Sequence, residues 1–493
     1  MVIRLNLKVY MNNQPSALSP LFLTEACERF SFYIIQVLLI FYMIHYLNLS
    51  DESAYAIVGE YIAFIYISPI LGGFLANEIL GARYSILLGG AMLCIGYSLL
   101  ASQHNNLMFW ALSVLILGNG FFKPNISSFL SGFYGQVDKR RQTGFAIFYL
   151  GINIGSMIAT LTAGYLQRHF GWNITFTIAA IGMFFSLFIY LAGFKNYADK
   201  GLATTKSKQK SFFSNKVSIA IIFFGTTCIV YLFLKHPTVG YDFLILAAVT
   251  LFTLLIYTAT RFDDITRNKL FALTILLFIS IIFWAIFFQI FLTVNLYTDR
   301  LVDRHFLGTT IPPSTFISLE PIFIVLLSMP ISNLWKYLAK KKCNPMTAVK
   351  FSTALFFIAI AMAMLASVTY YSNAYSQQVS PIWMVFFYLL LTIGEILLSP
   401  VGLAMINELA PKRLESMMTN AWFMSLGFGG ALTGILAQIA SIPRQPDPLN
   451  GISSIYQNAF TVYALIALIL GVFSICISPW IKKLICYHSY RQG

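Results

Sequence analysis

The chain has 493 residues, of which 58% are hydrophobic, 16% aromatic and only 10% charged. Soluble domains carry about 25% charged residues, so this composition excludes a protein that has only water as its solvent. The net charge of +14 does not indicate a nucleic-acid partner, because the basic residues gather in alternate loops between hydrophobic runs.

Hydrophobic runs long enough to cross a hydrocarbon core of about 30 Å recur from Pro20 almost to the C-terminus. They predict an all-α membrane protein. The first 19 residues contain no compact apolar stretch with a cleavage site, so no signal peptide is expected. We predict fourteen transmembrane helices, at 20–46, 53–77, 83–102, 107–132, 143–166, 172–194, 216–235, 240–260, 269–297, 313–339, 346–370, 381–409, 416–441 and 456–482.

The distribution of Lys and Arg predicts the orientation in the membrane. With the N-terminus inside, 25 of the 32 basic residues lie on the cytoplasmic side and 5 outside, while Arg29 and Lys123 lie within helices. The positive-inside rule then places both termini in the cytoplasm. The expected location is the cell (inner) membrane, with many passes.

The predicted helices divide as six, two and six. This predicts an N-terminal six-helix bundle at 20–194, a basic linker and extra helix pair at 195–268, and a C-terminal six-helix bundle at 269–482. Two equal halves are typical of duplicated transporter bundles, whose site lies between the halves. The linker is interpreted as a solvated topology signal, with binding to anionic lipid as the alternative; its densest basic stretch contains Lys200, Lys206, Lys208 and Lys210.

The six cysteines and six histidines are scattered along the chain. No CxxC pair, HExxH motif or i, i+4 histidine pair suggests a metal site, so neither a metal nor a cofactor is expected. A membrane enzyme would need a nucleophile with a base, or a metal cluster, facing its cavity. The sequence provides neither pattern, and an enzyme is not expected.

Charged residues inside the predicted spans are the best candidates for function. Such a charge costs about 2.5–3.5 kcal/mol on insertion scales, so each should face a partner or a water-filled cavity. The candidates are Glu25, Glu28, Arg29, Lys123, Glu320 and Glu395.

The first helix carries Glu25, Glu28 and Arg29 at i, i+3 and i+4, so the three side chains project from one face. A structural pair of Glu25 with Arg29 is one interpretation. It leaves Glu28 to be balanced by Lys123 on the fourth helix. Two acids and two cations so placed can exchange partners when one acid takes a proton, which predicts a proton-linked switch.

Three motifs resemble one transporter family. The first helix carries EACERFSFY at 25–33, the fourth GNGFFKPNISS at 118–128 and the fifth FYLGINIGS at 148–156. In these motifs, and over residues 20–482, the chain resembles the proton-dependent oligopeptide transporter family of the major facilitator superfamily. The resemblance extends to the extra helix pair of bacterial members.

The resemblance implies a proton-coupled symporter that imports di- and tripeptides by alternating access. Its expected partners are short peptides, protons and the lipid bilayer, and a monomer is expected. The proton-coupling residues would be Glu25, Glu28, Arg29 and Lys123, with Glu320 as an added candidate. The substrate site would contain Tyr33, Gln36, Tyr66, Lys123, Asn153, Glu320, Glu395 and Trp422.

A peptide is a zwitterion, so its site needs an anion at one end and a cation at the other. Glu395 is expected to hold the amino terminus, as the matching acid does in the family, and Lys123 can supply the cation. For the aromatic candidates Tyr33, Tyr66 and Trp422, simple packing is the alternative interpretation.

Four positions depart from the family pattern. Gln36 stands where the family usually has Arg, and Phe288 where it has an acid, so extracellular closure is expected to depend on packing and neutral hydrogen bonds. Because both members of that ion pair are missing, neither charge is stranded. Glu320 stands where the family prefers Asn, with capping near Pro321 as its alternative role. Asn77 stands where the superfamily places Asp, and its neighbour Glu78 is the nearest substitute.

These departures leave one rival function open. A related major facilitator carrier for another small charged or peptide-like solute, with altered proton coupling, fits the same motifs. A passive channel is disfavoured, because it has no need of paired acid and base clusters in both halves.

Overall fold

The computed structural model describes residues 13–135, 138–197, 216–306, 308–341, 347–443 and 449–485. Within these ranges, eleven helical segments are long and apolar enough to cross a membrane, and a shorter apolar helix spans Ile221–Lys235. The prediction of an all-α membrane protein is therefore confirmed. Several segments exceed one membrane thickness: Asp51–Ala101 has 51 residues and Arg141–Asn196 has 56. The count of fourteen helices stays a prediction.

Four helices open the described chain. A five-residue π-helical turn follows each of the first two. Between the second and third, Gly81 has φ 74° and ψ 153°, a conformation that glycine adopts without steric cost. The four helices are α1 (Leu18–Phe41), α2 (Asp51–Leu75), α3 (Gly81–Ala101) and α4 (Met108–Ser131).

The next helix, α5 (Arg141–Ala192), contains a sharp break. Gly171 has φ 76° and ψ 178°, which is not helical. The break falls between the predicted runs 143–166 and 172–194. The next helices are α6 (Lys216–Lys235) and α7 (Pro237–Ala259). Helix α7 begins with a proline, a residue favoured at the first helical position.

In the second half of the chain, the described residues form eight further α-helices and one short hairpin, β1 (His305–Phe306) with β2 (Thr309–Thr310). The Asp263 side chain caps the first of these helices by accepting a hydrogen bond from the Thr266 N–H at 3.3 Å. The helices are α8 (Asp264–Phe287), α9 (Thr293–Leu301), α10 (Pro313–Phe316), α11 (Leu319–Lys340), α12 (Thr347–Ala374), α13 (Ile382–Leu409), α14 (Glu415–Ala437) and α15 (Leu449–Ile485).

The chain forms two compact units. Unit 1 comprises Met1–Leu39 and Phe64–His236, and unit 2 comprises Ile40–Ala63 and Pro237–Gly493. In unit 1, α3 packs against α4 and α5; in unit 2, α12 packs against α13 and α15, and α8 packs against α14. The division into 20–194, 195–268 and 269–482 stays a prediction. The predicted linker lysines, Lys200, Lys206, Lys208 and Lys210, lie outside the described residues, as do the predicted cytoplasmic termini.

Candidate functional site

The charged residues of α1 form a buried cluster inside unit 1. Arg29 makes a two-point contact with Glu28, in which Nε donates to Oε2 at 2.5 Å and Nη2 donates to Oε1 at 2.7 Å. Nη2 also donates to Asn119 Oδ1 on α4 at 3.2 Å. None of these α1 charges is more than 2% exposed: Glu25, Glu28 and Arg29 are all buried. The arginine is thus held by two helices at once.

Arg29 has two acids of α1 within ion-pair distance, and Glu28 is the closer one. The i, i+4 spacing favours Glu25 as the partner of Arg29, but the closest Arg29–Glu25 approach is 3.7 Å, against 2.5 Å to Glu28. Arg29 reaches Asn119 on α4, and this places its guanidinium beside the neighbouring Glu28. Glu25 Oε2 is left buried without a hydrogen-bond partner among the described residues.

Lys123 on α4 is the second cation of the cluster. It interacts electrostatically with Glu25 and Glu28, which attract it, and with Arg29, which repels it. Its Nζ lies 5.3 Å from the centroid of the Tyr66 ring, a distance suited to a cation–π contact. Within the described ranges no acid lies within ion-pair distance of Lys123.

Close helix packing creates this cluster. A Cβ on Gly155 of α5 would lie 2.3 Å from the Ala26 carbonyl oxygen and 3.1 Å from Arg29 Cβ. A Cβ on Gly120 of α4 would lie 2.8 Å from Ser68 on α2. Small residues let membrane helices approach this closely. The glycines of the family motifs therefore bring the α1 charges and Lys123 together.

The other expected site residues of unit 1 have different environments. Tyr33 and Tyr66 are partly exposed, and the Phe32 and Tyr33 rings meet edge to face at 5.3 Å. Asn153 is buried, and its Nδ2 donates to the Tyr149 carbonyl oxygen one turn earlier. Gln36 is also buried, and its Oε1 has no partner in the described chain.

Unit 2 brings together two acids that the sequence analysis treated separately. Glu320, in the first turn of α11, and Glu395, inside α13, have carboxyl groups within hydrogen-bonding reach of each other. Both side chains are partly exposed, unlike the acids of α1. Glu395 Oε2 is shielded from solvent and accepts a hydrogen bond from no donor of the described residues.

The remaining aromatic positions of unit 2 are packed. Trp422 on α14 is 3% exposed, and a Cβ on Gly402 would lie 2.0 Å from its ring. Phe351 meets the same indole edge to face at 6.3 Å. Phe288, where the family has an acid, is buried and stacks on Trp284 at 5.5 Å. In this conformation Trp422 and Phe288 thus contribute packing.

Two charged features escaped the sequence analysis. Asp51 at the start of α2 makes a two-point ion pair with Arg300 near the end of α9, at 2.7 and 2.8 Å. Glu60 on α2 is fully buried, and neither carboxyl oxygen has a partner among the residues described. Glu60 could have been found from the sequence, because it is a charge well inside the predicted span 53–77. The ion pair had no signal in the sequence, because its members lie 249 residues apart.

No group of three or more His, Cys, Asp or Glu side chains among the described residues could hold a metal ion. The chemistry that these clusters can perform is the binding of charged groups and protons.

Comparison with known proteins identifies the relatives of this chain. The sequence profile of the POT family matches residues 83–455. The peptide transporter YePEPT of Yersinia enterocolitica subsp. palearctica is 34% identical over 448 residues, which cover 86% of this chain and 87% of that protein. The di-/tripeptide transporter of Lactococcus lactis subsp. lactis is 32% identical over 497 residues, with 96% of each chain covered.

Solved structures show the same fold. A crystal structure of a POT family transporter in complex with a thioalcohol-conjugated peptide matches with a TM-score of 0.82 at 28% identity. The match covers 94% of this chain and 96% of that chain. The similarity therefore extends over almost the whole length of both proteins.

Proposed function

The chain belongs to the POT family, and on that premise we propose that it imports di- and tripeptides together with protons by alternating access. Its relatives are transporters and not enzymes, as the sequence analysis predicted. Two of them are named for peptide or di- and tripeptide transport. We assign the same transport activity to this chain.

The observation that carries this proposal is the buried charge cluster of unit 1. Arg29 is neutralised by Glu28, while Glu25 keeps one oxygen without a partner and Lys123 lies nearby without a direct ion pair among the described residues. Protonation of an acid in such a cluster removes an attraction and frees a cation. We assign proton coupling to Glu25, Glu28, Arg29 and Lys123, with Glu320 as an additional acid.

The two charged ends of the substrate are each assigned to a residue of opposite charge, through the family resemblance. Lys123 would receive the peptide carboxylate, and Glu395 the amino terminus, because charge-assisted hydrogen bonds are the strongest available contacts. The remaining positions are assigned to the substrate site through the family resemblance. They are Tyr33, Gln36, Tyr66, Asn153, Glu320 and Trp422.

The finer topology belongs to the proposal as well. Two six-helix bundles at 20–194 and 269–482, joined by the segment 195–268 with its extra helix pair, give fourteen spans. Gly171 and Gly81 divide the two longest helical segments at the positions this count requires. Both termini are assigned to the cytoplasm and the chain to the cell inner membrane, as a monomer.

Altered residues favour a second candidate function. Gln36 and Phe288 replace a charged pair of the family, and Glu320 adds an acid beside Glu395. These replacements change which charged groups are available to a solute and to protons. A carrier for another small charged or peptide-like solute, with altered coupling, is therefore the alternative.

Uptake into proteoliposomes tests the two candidates. A labelled dipeptide library is offered to vesicles holding the purified protein, with and without an imposed proton gradient, and protein-free vesicles are the control. Gradient-driven accumulation of dipeptides is expected, and N-acetylated dipeptides should compete poorly. Equal competition by free and acetylated dipeptides would exclude amine recognition. Accumulation of only non-peptide amines would favour the alternative carrier.

A further inference from the structure

The two acids of unit 2 have an unusual environment. Glu320 and Glu395 lie on α11 and α13, which pack against each other, and their carboxyl groups are within hydrogen-bonding reach. Tyr388 on α13 also interacts electrostatically with Glu320. Lys350 on α12, which packs against α13, interacts with Glu408 instead. No cation among the described residues therefore balances the pair.

Such a contact requires a proton. An ionised carboxyl group has acceptors but no donor, so a hydrogen bond between two carboxyl groups needs a proton on one of them. Like charges at this separation also repel so strongly that two adjacent carboxylates do not both ionise. The pair then carries one proton and one negative charge, and it remains accessible because both side chains are partly exposed.

We propose that Glu320 and Glu395 act as one acidic pair, which holds a single shared proton and binds the substrate's ammonium group through its remaining negative charge. This inference rests on the proposed function, because it defines how that site recognises the amino end of the substrate. An ammonium group has three donors, and the pair offers it several carboxyl oxygens. The protonated member donates to the ionised one and fixes its orientation.

Either acid of such a pair can be replaced while one negative charge is kept for the ammonium group. If Gln replaces either acid, its amide donates the hydrogen bond that the protonated carboxyl donated, and one carboxylate remains. Met has a similar length but no donor. The pair therefore predicts a pattern of binding that a single amine-binding acid does not produce.

Dipeptide binding to the purified full-length protein tests this pattern. Glu320→Gln and Glu395→Gln should each keep the affinity within about tenfold, while the double variant should lose about 10- to 150-fold more, the worth of a charge-assisted contact. Glu320→Met should bind more weakly than Glu320→Gln. Glu408→Gln, an exposed acid on α13, is the matched control. If Glu395→Gln alone loses as much as the double variant, and Glu320→Met binds normally, the shared pair is wrong.

Infrared spectroscopy of the substrate-free protein provides a readout that does not depend on transport. The C=O band of one protonated carboxyl group should be lost in either single Gln variant, and the control should keep it. If both single variants retain the band, no proton is shared. Failure of the proposed function would appear differently, as a protein that binds no dipeptide but still shows the paired-acid band.

Discussion

The ion pair between Asp51 and Arg300 offers the sharpest test of how unit 2 is stabilised. The guanidinium holds both Asp51 oxygens and also donates to the Tyr456 hydroxyl at 2.9 Å. Asp51 Oδ2 accepts a further hydrogen bond from the Ile442 N–H at 3.1 Å. The perturbation is Asp51→Ala, which leaves the arginine and the Ile442 N–H without this acceptor.

The expected loss of stability follows from how deeply the two charged side chains are buried. Removing one partner of a buried ion pair costs about 3–5 kcal/mol. The Asp51 side chain is 6% exposed but that of Arg300 is 20% exposed, so water partly solvates the stranded cation. We therefore expect a loss of about 2–3 kcal/mol. At about 2–4 °C for each kcal/mol, the thermal midpoint should fall by about 4–12 °C.

Thermal unfolding of the detergent-purified protein, followed by intrinsic fluorescence, measures this loss. The matched control is Asp264→Ala, which breaks an ion pair with Arg267 of the same 2.7 Å length but with side chains that are 61% and 39% exposed. Exposed pairs are worth about 0–1 kcal/mol. The double variant Asp51→Ala, Arg300→Ala should be more stable than the sum of its single variants predicts. Equal midpoints for Asp51→Ala and the control would refute the argument.

Three further predictions follow from the described contacts. The Lys123→Ala variant should lose gradient-driven dipeptide accumulation but keep some counterflow exchange. The control is Lys235→Ala, which removes a lysine similarly placed over a Tyr ring and should leave accumulation normal. Unchanged accumulation in Lys123→Ala would contradict the coupling role. Gly155→Ala should lower the stability of the protein by about 1–3 kcal/mol through overpacking. Gly73→Ala is the control and should not, because a Cβ on Gly73 would meet no atom within 4 Å. Equal thermal midpoints for the two variants would contradict the close contact at Gly155. Glu60→Met should raise the thermal midpoint by removing a buried carboxyl without partners, and a lower midpoint would indicate that the acid has an unseen partner.

Part of the candidate site was predictable because it depends on local spacing. Glu25, Glu28 and Arg29 share one helical face, and all three are buried there as expected. Their pairing was not predictable, because side chains at i and i+1 do not normally face each other. Arg29 nevertheless binds Glu28, since Asn119 on another helix holds the same guanidinium.

The unit 2 acids illustrate the same limit. The sequence shows that Glu320 and Glu395 are unusual charges inside apolar runs, and each was a candidate for function. The spacing of residues along the sequence does not indicate which positions on separate helices come into contact. Their proximity follows from the packing of α11 on α13.

The sequence by itself determined the membrane class, the positions of the apolar segments and the face that carries the α1 charges. These properties depend on the length of each run and on the helical period, which neighbouring residues specify. Tertiary structure decided which acid binds Arg29, that Glu320 meets Glu395, and that Asp51 meets Arg300 across 249 residues. Such contacts depend on how closely the helices approach and how far each side chain reaches, and both are set only when the helices pack.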